Sequence, residues 1–63
     1  MTEIRRIRKE RGMTAEELAD KVGVHPFSIY RYESGKREPS MSVGYKIAKV
    51  LRCTMEALVK ETA

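Results

Sequence analysis

Residues 14–39 read TAEELADKVGVHPFSIYRYESGKREP. Two short amphipathic helical patterns flank Gly23, and a glycine-basic turn follows them. Thr14-Ala15-Glu16-Glu17 has the form of a capping box: the threonine oxygen accepts the amide of residue 17, and Glu17 reaches back. A helix over about residues 15–22 is expected from it, burying Leu18, Ala19 and Val22. Gly23 supplies the left-handed conformation that ends this helix at low cost. His25-Pro26 starts the next one. The residue before proline is held extended, which suits an N-cap, and proline suits the first helical position. That helix runs to about Ser34 with Ile29 and Tyr32 inward, and Gly35 stops it. Only a few architectures need two packed helices this close together.

The flanks extend the helical pattern. A first helix is expected over about residues 2–11, with Ile4 and Ile7 on one face, Arg8 beside them and Gly12 at its end. Lys36-Arg37-Glu38-Pro39 reads as a loop. Ser40 caps a fourth helix over about 41–51, and Thr54 caps a fifth over about 55–61. No segment alternates like a strand, and there is no linker, repeat or low-complexity stretch. The expected fold is all-α, with short connections, in a single domain over residues 1–63.

Sixty-three residues lie near the lower size limit for unaided folding, so the core must stabilise the chain alone or share the task with a second subunit. A single cysteine excludes an internal disulfide, and no Cys/His group has zinc-ligand spacing. No apolar run suits a signal peptide or membrane span, so a cytoplasmic protein is expected. The start at Met1 fits a native beginning better than an internal fragment, while leaving room for a longer C-terminal part. Net charge is +4, which favours an anionic partner without identifying it. Its distribution is uneven. Arg5, Arg6, Arg8, Lys9 and Arg11 open the chain, Glu16, Glu17 and Asp20 follow, and Arg31, Lys36 and Arg37 restore positive charge. One face is thus expected to meet phosphates while another does not.

At this point the residues resemble a known family, the phage repressor/Cro-like (XRE) helix-turn-helix domains, over about residues 4–59. The resemblance is carried by Ile4-Arg5-x-Ile7-Arg8 leading to Arg11-Gly12-Met13-Thr14, and by Glu17-Leu18-Ala19 leading to Val22-Gly23-Val24. Ile29-x-Arg31-x-Glu33-x-Gly35-Lys36-Arg37-x-Pro39-Ser40 and Lys46-Ile47-Ala48-Lys49 leading to Leu51 complete it. It implies a compact five-helix bundle of the lambda-repressor-like type, whose second and third helices form the helix-turn-helix. It also implies an ion pair between Arg8 and Glu33, the alternative being two solvated charges. The implied function is sequence-specific binding of double-stranded DNA and regulation of transcription as a repressor, the third helix entering the major groove.

With Ile29 and Tyr32 inward, Phe27, Tyr30, Arg31 and Ser34 form the outward stripe of that helix. Carried over by position, the base-reading residues are Pro26, Phe27, Tyr30 and Arg31. A guanidinium at Arg31 can bond O6 and N7 of guanine, and Phe27 can touch a thymine methyl. Phe27 has a second reading as a packing residue or interface anchor, and Tyr30 can bond a base or a phosphate. Phosphate contacts are assigned to Thr14 and Ala15 at the amide end of the second helix, and to Ser28, Ser34, Lys36 and Arg37. Arg5, Arg6 and Lys9 are weaker candidates.

Three positions depart from the family. Many members carry glutamine at the place of Ala15, so here the contact falls to backbone amides. Small polar residues usually stand where this chain has Pro26 and Phe27. Gly44 replaces a core leucine, and the vacated space is expected to take the ring of Tyr32 or Phe27. Cys53 reads as a core residue, His25 as a cap residue, and Met13, Met41 and Met55 as packing residues.

No nucleophile-base-orienter set, phosphate loop or metal cluster is evident, so no enzymatic activity, cofactor, metal or small-molecule ligand is expected. One unit reads only a few base pairs. A homodimer is therefore expected, formed weakly in solution or only on DNA, with half-sites about 34 Å apart. Its surface is expected along the fourth and fifth helices, including Arg52 to Leu58. Three alternatives are a DNA-binding antitoxin, a protein-interaction adaptor gripping a peptide through Phe27 and Tyr30, and the DNA-binding part of a longer regulator.

Overall fold

The computed structural model describes residues 1–59. Five helices follow one another: α1 (Ile4–Glu10), α2 (Ala15–Val22), α3 (Pro26–Glu33), α4 (Met41–Leu51) and α5 (Met55–Val59). No strand occurs among the described residues, and no helix there is long and apolar enough to cross a membrane. Residues 60 and 61 of the expected fifth helix lie outside the described residues.

Local chemistry sets the helix ends. Thr14 Oγ1 accepts from the Glu17 amide at 3.0 Å while Glu17 Oε1 accepts from the Thr14 amide at 2.9 Å, closing the capping box. Gly23 has φ +86°, and its amide donates to the Ala19 carbonyl, so α2 ends where α3 must turn back. Ser40 Oγ and Thr54 Oγ1 cap α4 and α5 by accepting from the amides of Val43 and Ala57. The first helix is shorter than expected. Thr2 and Glu3 lie in a turn, and the Glu3 amide is spent on the Leu58 carbonyl, which pins the start of α1 to α5.

One core unites all five helices. Ile4, Leu18, Ile29, Ile47, Leu51 and Leu58 are its largest fully buried side chains, joined by Ile7, Ala15, Ala19, Val22, Tyr32 and Ala48. α2 packs most extensively on α3, and the small side chain of Ala19 sits buried within that group. The closing tie is polar. Arg11 Nε donates to the Leu51 carbonyl at 2.7 Å, placing a cation on the negative end of α4. Arg52 follows in a left-handed conformation, φ 57°, and its carbonyl receives Arg11 Nη2.

Three packing expectations are corrected. The space at Gly44 is not filled by an aromatic ring. A Cβ there would meet Met1 Cε at 2.7 Å and Met55 Cε at 3.1 Å, so two methionine side chains occupy the place of the missing leucine. Met41 does not pack: it is 79% exposed at the first position of α4, where the helix overhangs solvent. Leu58 is fully buried against the core, so it cannot contribute to a surface between copies. Cys53 packs against the core, where burial pushes its thiol pKa up.

Candidate nucleic-acid interface

The third helix begins with an imidazole cap. His25 Nδ1 accepts from the Phe27 amide at 3.1 Å, and Pro26 occupies the first helical position, where it lacks the amide that would otherwise need a partner. With Nδ1 accepting, the neutral ring carries its proton on Nε2. The imidazole also stacks on Phe27, with centroids 5.2 Å apart and planes 10° from parallel. Phe27 is 67% exposed, so it is not a packing residue of the core.

Beyond this stacked pair, burial divides α3 by face. Ile29 and Tyr32 are buried, whereas Phe27, Tyr30 and Arg31 are exposed and Ser28 is half-buried. Arg31 makes no ion pair among the described residues, which leaves its five donors free. Tyr30 is already engaged: its hydroxyl donates to Glu16 Oε2 at 2.9 Å. Ser34 Oγ donates to the Arg31 carbonyl at 3.2 Å, so in this arrangement its proton is not directed outward.

The turn after α3 is held by backbone bonds and presents charge. Gly35 takes φ +77°, and the amides of Lys36 and Arg37 both donate to the Arg31 carbonyl, at 3.0 and 3.3 Å. Lys36 and Arg37 stay exposed and unpaired among the described residues. At the start of α2, the Thr14 amide is spent on Glu17, although the Thr14 hydroxyl keeps its own hydrogen. The amides of Ala15 and Glu16 stand in the first turn, where no intrahelical acceptor exists. Ala15 is buried as a whole residue, 2% exposed.

Behind α3 runs the ion pair that ties it to α1. Arg8 Nε donates to Glu33 Oε2 at 2.8 Å and Nη2 to Oε1 at 3.3 Å, while Nη1 donates to the Met13 carbonyl at 3.0 Å. The hydrogen bond to Glu33 raises the Arg8 pKa despite the opposing effect of burial. Arg5 and Lys9, with Arg8, Tyr30, Glu33 and Ser34, line an open groove of about 370 Å³ between α1 and α3. Arg6 points its guanidinium to Glu3 and Glu10 instead.

The expected residues thus fall into two groups. Phe27, Tyr30 and Arg31 lie on the outward side of α3, with Lys36 and Arg37 in the turn that follows and Thr14 and Ala15 at the start of α2. Arg8 and Glu33 lie behind them. Glu16 escaped the sequence reading, because its link to Tyr30 spans fourteen residues and leaves no local pattern. The Phe27–His25 stack was legible in principle, as two rings two positions apart across a proline.

A helix-turn-helix family model matches residues 4–58. The chain is 49% identical over 57 residues to a protein of Archaeoglobus fulgidus, covering 90% of this chain and 81% of that one. A second protein of the same organism is 44% identical over 55 residues, covering 87% and 78%. One of Methanothermobacter thermautotrophicus is 46% identical over 50 residues, covering 79% and 72%. Each carries the name "Uncharacterized HTH-type transcriptional regulator".

Proposed function

This chain belongs to the Cro/C1-type (XRE) helix-turn-helix family and is a DNA-binding regulator of transcription; from that premise we propose that it represses by laying α3 in the major groove of a specific duplex site. The observation that carries this reading is the division of α3. Its inner side is anchored by Ile29 and Tyr32, and its outer side presents Arg31 free of any carboxylate among the described residues.

Roles then follow from donors and charge. Arg31 is the guanine reader, and Phe27 supplies apolar contact to a thymine methyl. Pro26 brings the helix end close without offering a donor. The Ala15 amide, the Thr14 hydroxyl, Lys36 and Arg37 hold phosphates, with Ser28 and Ser34 at the margin. The Arg8–Glu33 pair fixes α3 against α1 and keeps its outer face in position.

Two copies on half-sites about 34 Å apart supply the specificity that one small unit lacks. Their contact lies on the exposed part of α4 and α5, around Arg52, Thr54 and Glu56. The test is selection from a random duplex pool, repeated with Arg31→Ala. A palindrome whose guanines lose preference in the variant supports the reading. Binding that is independent of sequence and flat against salt would instead favour a protein-interaction role for Phe27 and Tyr30.

A further inference from the structure

The Tyr30–Glu16 bond joins the outward side of α3 to the first turn of α2, and it decides what the pair still has to offer. A phenol has one proton, and here it is directed at Glu16 Oε2, 2.9 Å away. The remaining capacity of Tyr30 Oη is as an acceptor, and an ionised carboxylate accepts only. That bond pushes the Tyr30 pKa up, so the hydroxyl keeps its proton at neutral pH. No lysine or arginine pairs with Glu16 among the described residues, and three of the five donors of Arg8 go to Glu33 and Met13.

Both residues are exposed where α2 meets α3, the helix laid in the groove on the DNA-binding reading. An acceptor-only, negatively charged pair gains nothing from a phosphate, which is itself an anionic acceptor. The major groove offers two kinds of donor, the amino groups at adenine N6 and cytosine N4. Resting on the DNA-binding reading above, we propose that Tyr30 and Glu16 together read the exocyclic amino group of an adenine or cytosine in the major groove, making Glu16 of α2 a specificity residue. The same carboxylate repels duplexes that present no amino group there, so it raises discrimination and lowers non-specific affinity.

The experiment takes the duplex selected by the full chain and deletes single amino groups, replacing adenine by purine or cytosine by 2-pyrimidinone at each position. Binding is followed by fluorescence anisotropy for the wild type, Tyr30→Phe and Glu16→Gln, with thermal melts to show that each variant is folded. The expected result is one position where amino deletion weakens the wild type about tenfold but each variant by less than about twofold. At that position Glu16→Gln, whose amide can donate, also admits thymine or guanine. If deletion costs all three proteins the same at every position, the pair reads no base, while the DNA-binding reading stands. If the wild type selects no duplex, both fall.

Discussion

Arg8 and Glu33, twenty-five residues apart in sequence, meet through two nitrogen–oxygen contacts with both side chains more than nine-tenths buried. Removing one member leaves the other charged, desolvated and unpartnered, which costs more than the pair contributes. Arg8→Ala is therefore expected to lower stability by about 3 kcal/mol, a drop of more than about 10 °C in melting temperature for a chain of this size. The double change Arg8→Met with Glu33→Met should cost less than Arg8→Ala alone. Thermal melts followed by circular dichroism measure both; a single variant that melts with the wild type would remove the pair as the tie between α1 and α3.

Arg31 and Lys36 both carry positive charge that is unpaired among the described residues, yet they are assigned different work. Arg31→Ala is expected to weaken the selected duplex about tenfold or more and to flatten base preference at one guanine. Lys36→Ala should weaken all duplexes alike and reduce the slope of log affinity against log salt by about one. Anisotropy titrations at several salt concentrations separate the two outcomes. A salt slope lost in Arg31→Ala with base preference intact would make Arg31 a phosphate contact.

The five helices were legible because the signals that make them are local. Thr14 and Glu17 close a capping box three residues apart, and Gly23 and Gly35 stand where a left-handed backbone ends a helix. What local pattern could not show is how distant pieces complete one another. Arg11 bonds a carbonyl forty residues away, and Met1 fills the hollow at Gly44. Apolar character alone also misjudged Met41 and Leu58. One apolar residue at a helix start can overhang solvent, and one on a five-residue helix can face the core or a partner. Similarly, Glu16 belonged to an acidic stretch with no sign of its bond to Tyr30. Side-chain chemistry showed which residues face outward on α3, whereas the packing between α2 and α3 decided which donors remain free there.

Glu17 links the helix cap to pH. Its hydrogen bonds with the Thr14 backbone and side chain, helped by Lys21, hold its pKa below the usual carboxylate value. A carboxylate depressed in the folded state adds stability above its unfolded pKa, and the contribution disappears as pH falls through the folded value. The advantage of the wild type over Glu17→Gln should therefore be full near neutral pH, shrink below about pH 4.5 and vanish in stronger acid. Melting temperatures of the two proteins across that range check it. A gap that widens towards acid would reverse the assignment.

Gly44 offers two substitutions with opposite expected signs. Glycine inside α4 costs about 1 kcal/mol relative to alanine through backbone entropy alone. A Cβ would press on Met1 Cε and Met55 Cε, and both are the terminal methyls of unbranched side chains that can swing aside. Gly44→Ala should therefore keep most of the helical gain and raise the melting temperature by a few degrees. A leucine is a different matter. It needs the volume both methionines already occupy, and overfilling a packed site costs about 1–3 kcal/mol. Gly44→Leu is expected to melt below the wild type, and Met55→Ala added to it should restore part of the loss. If leucine instead melts above alanine, the methionines do not fill the hollow.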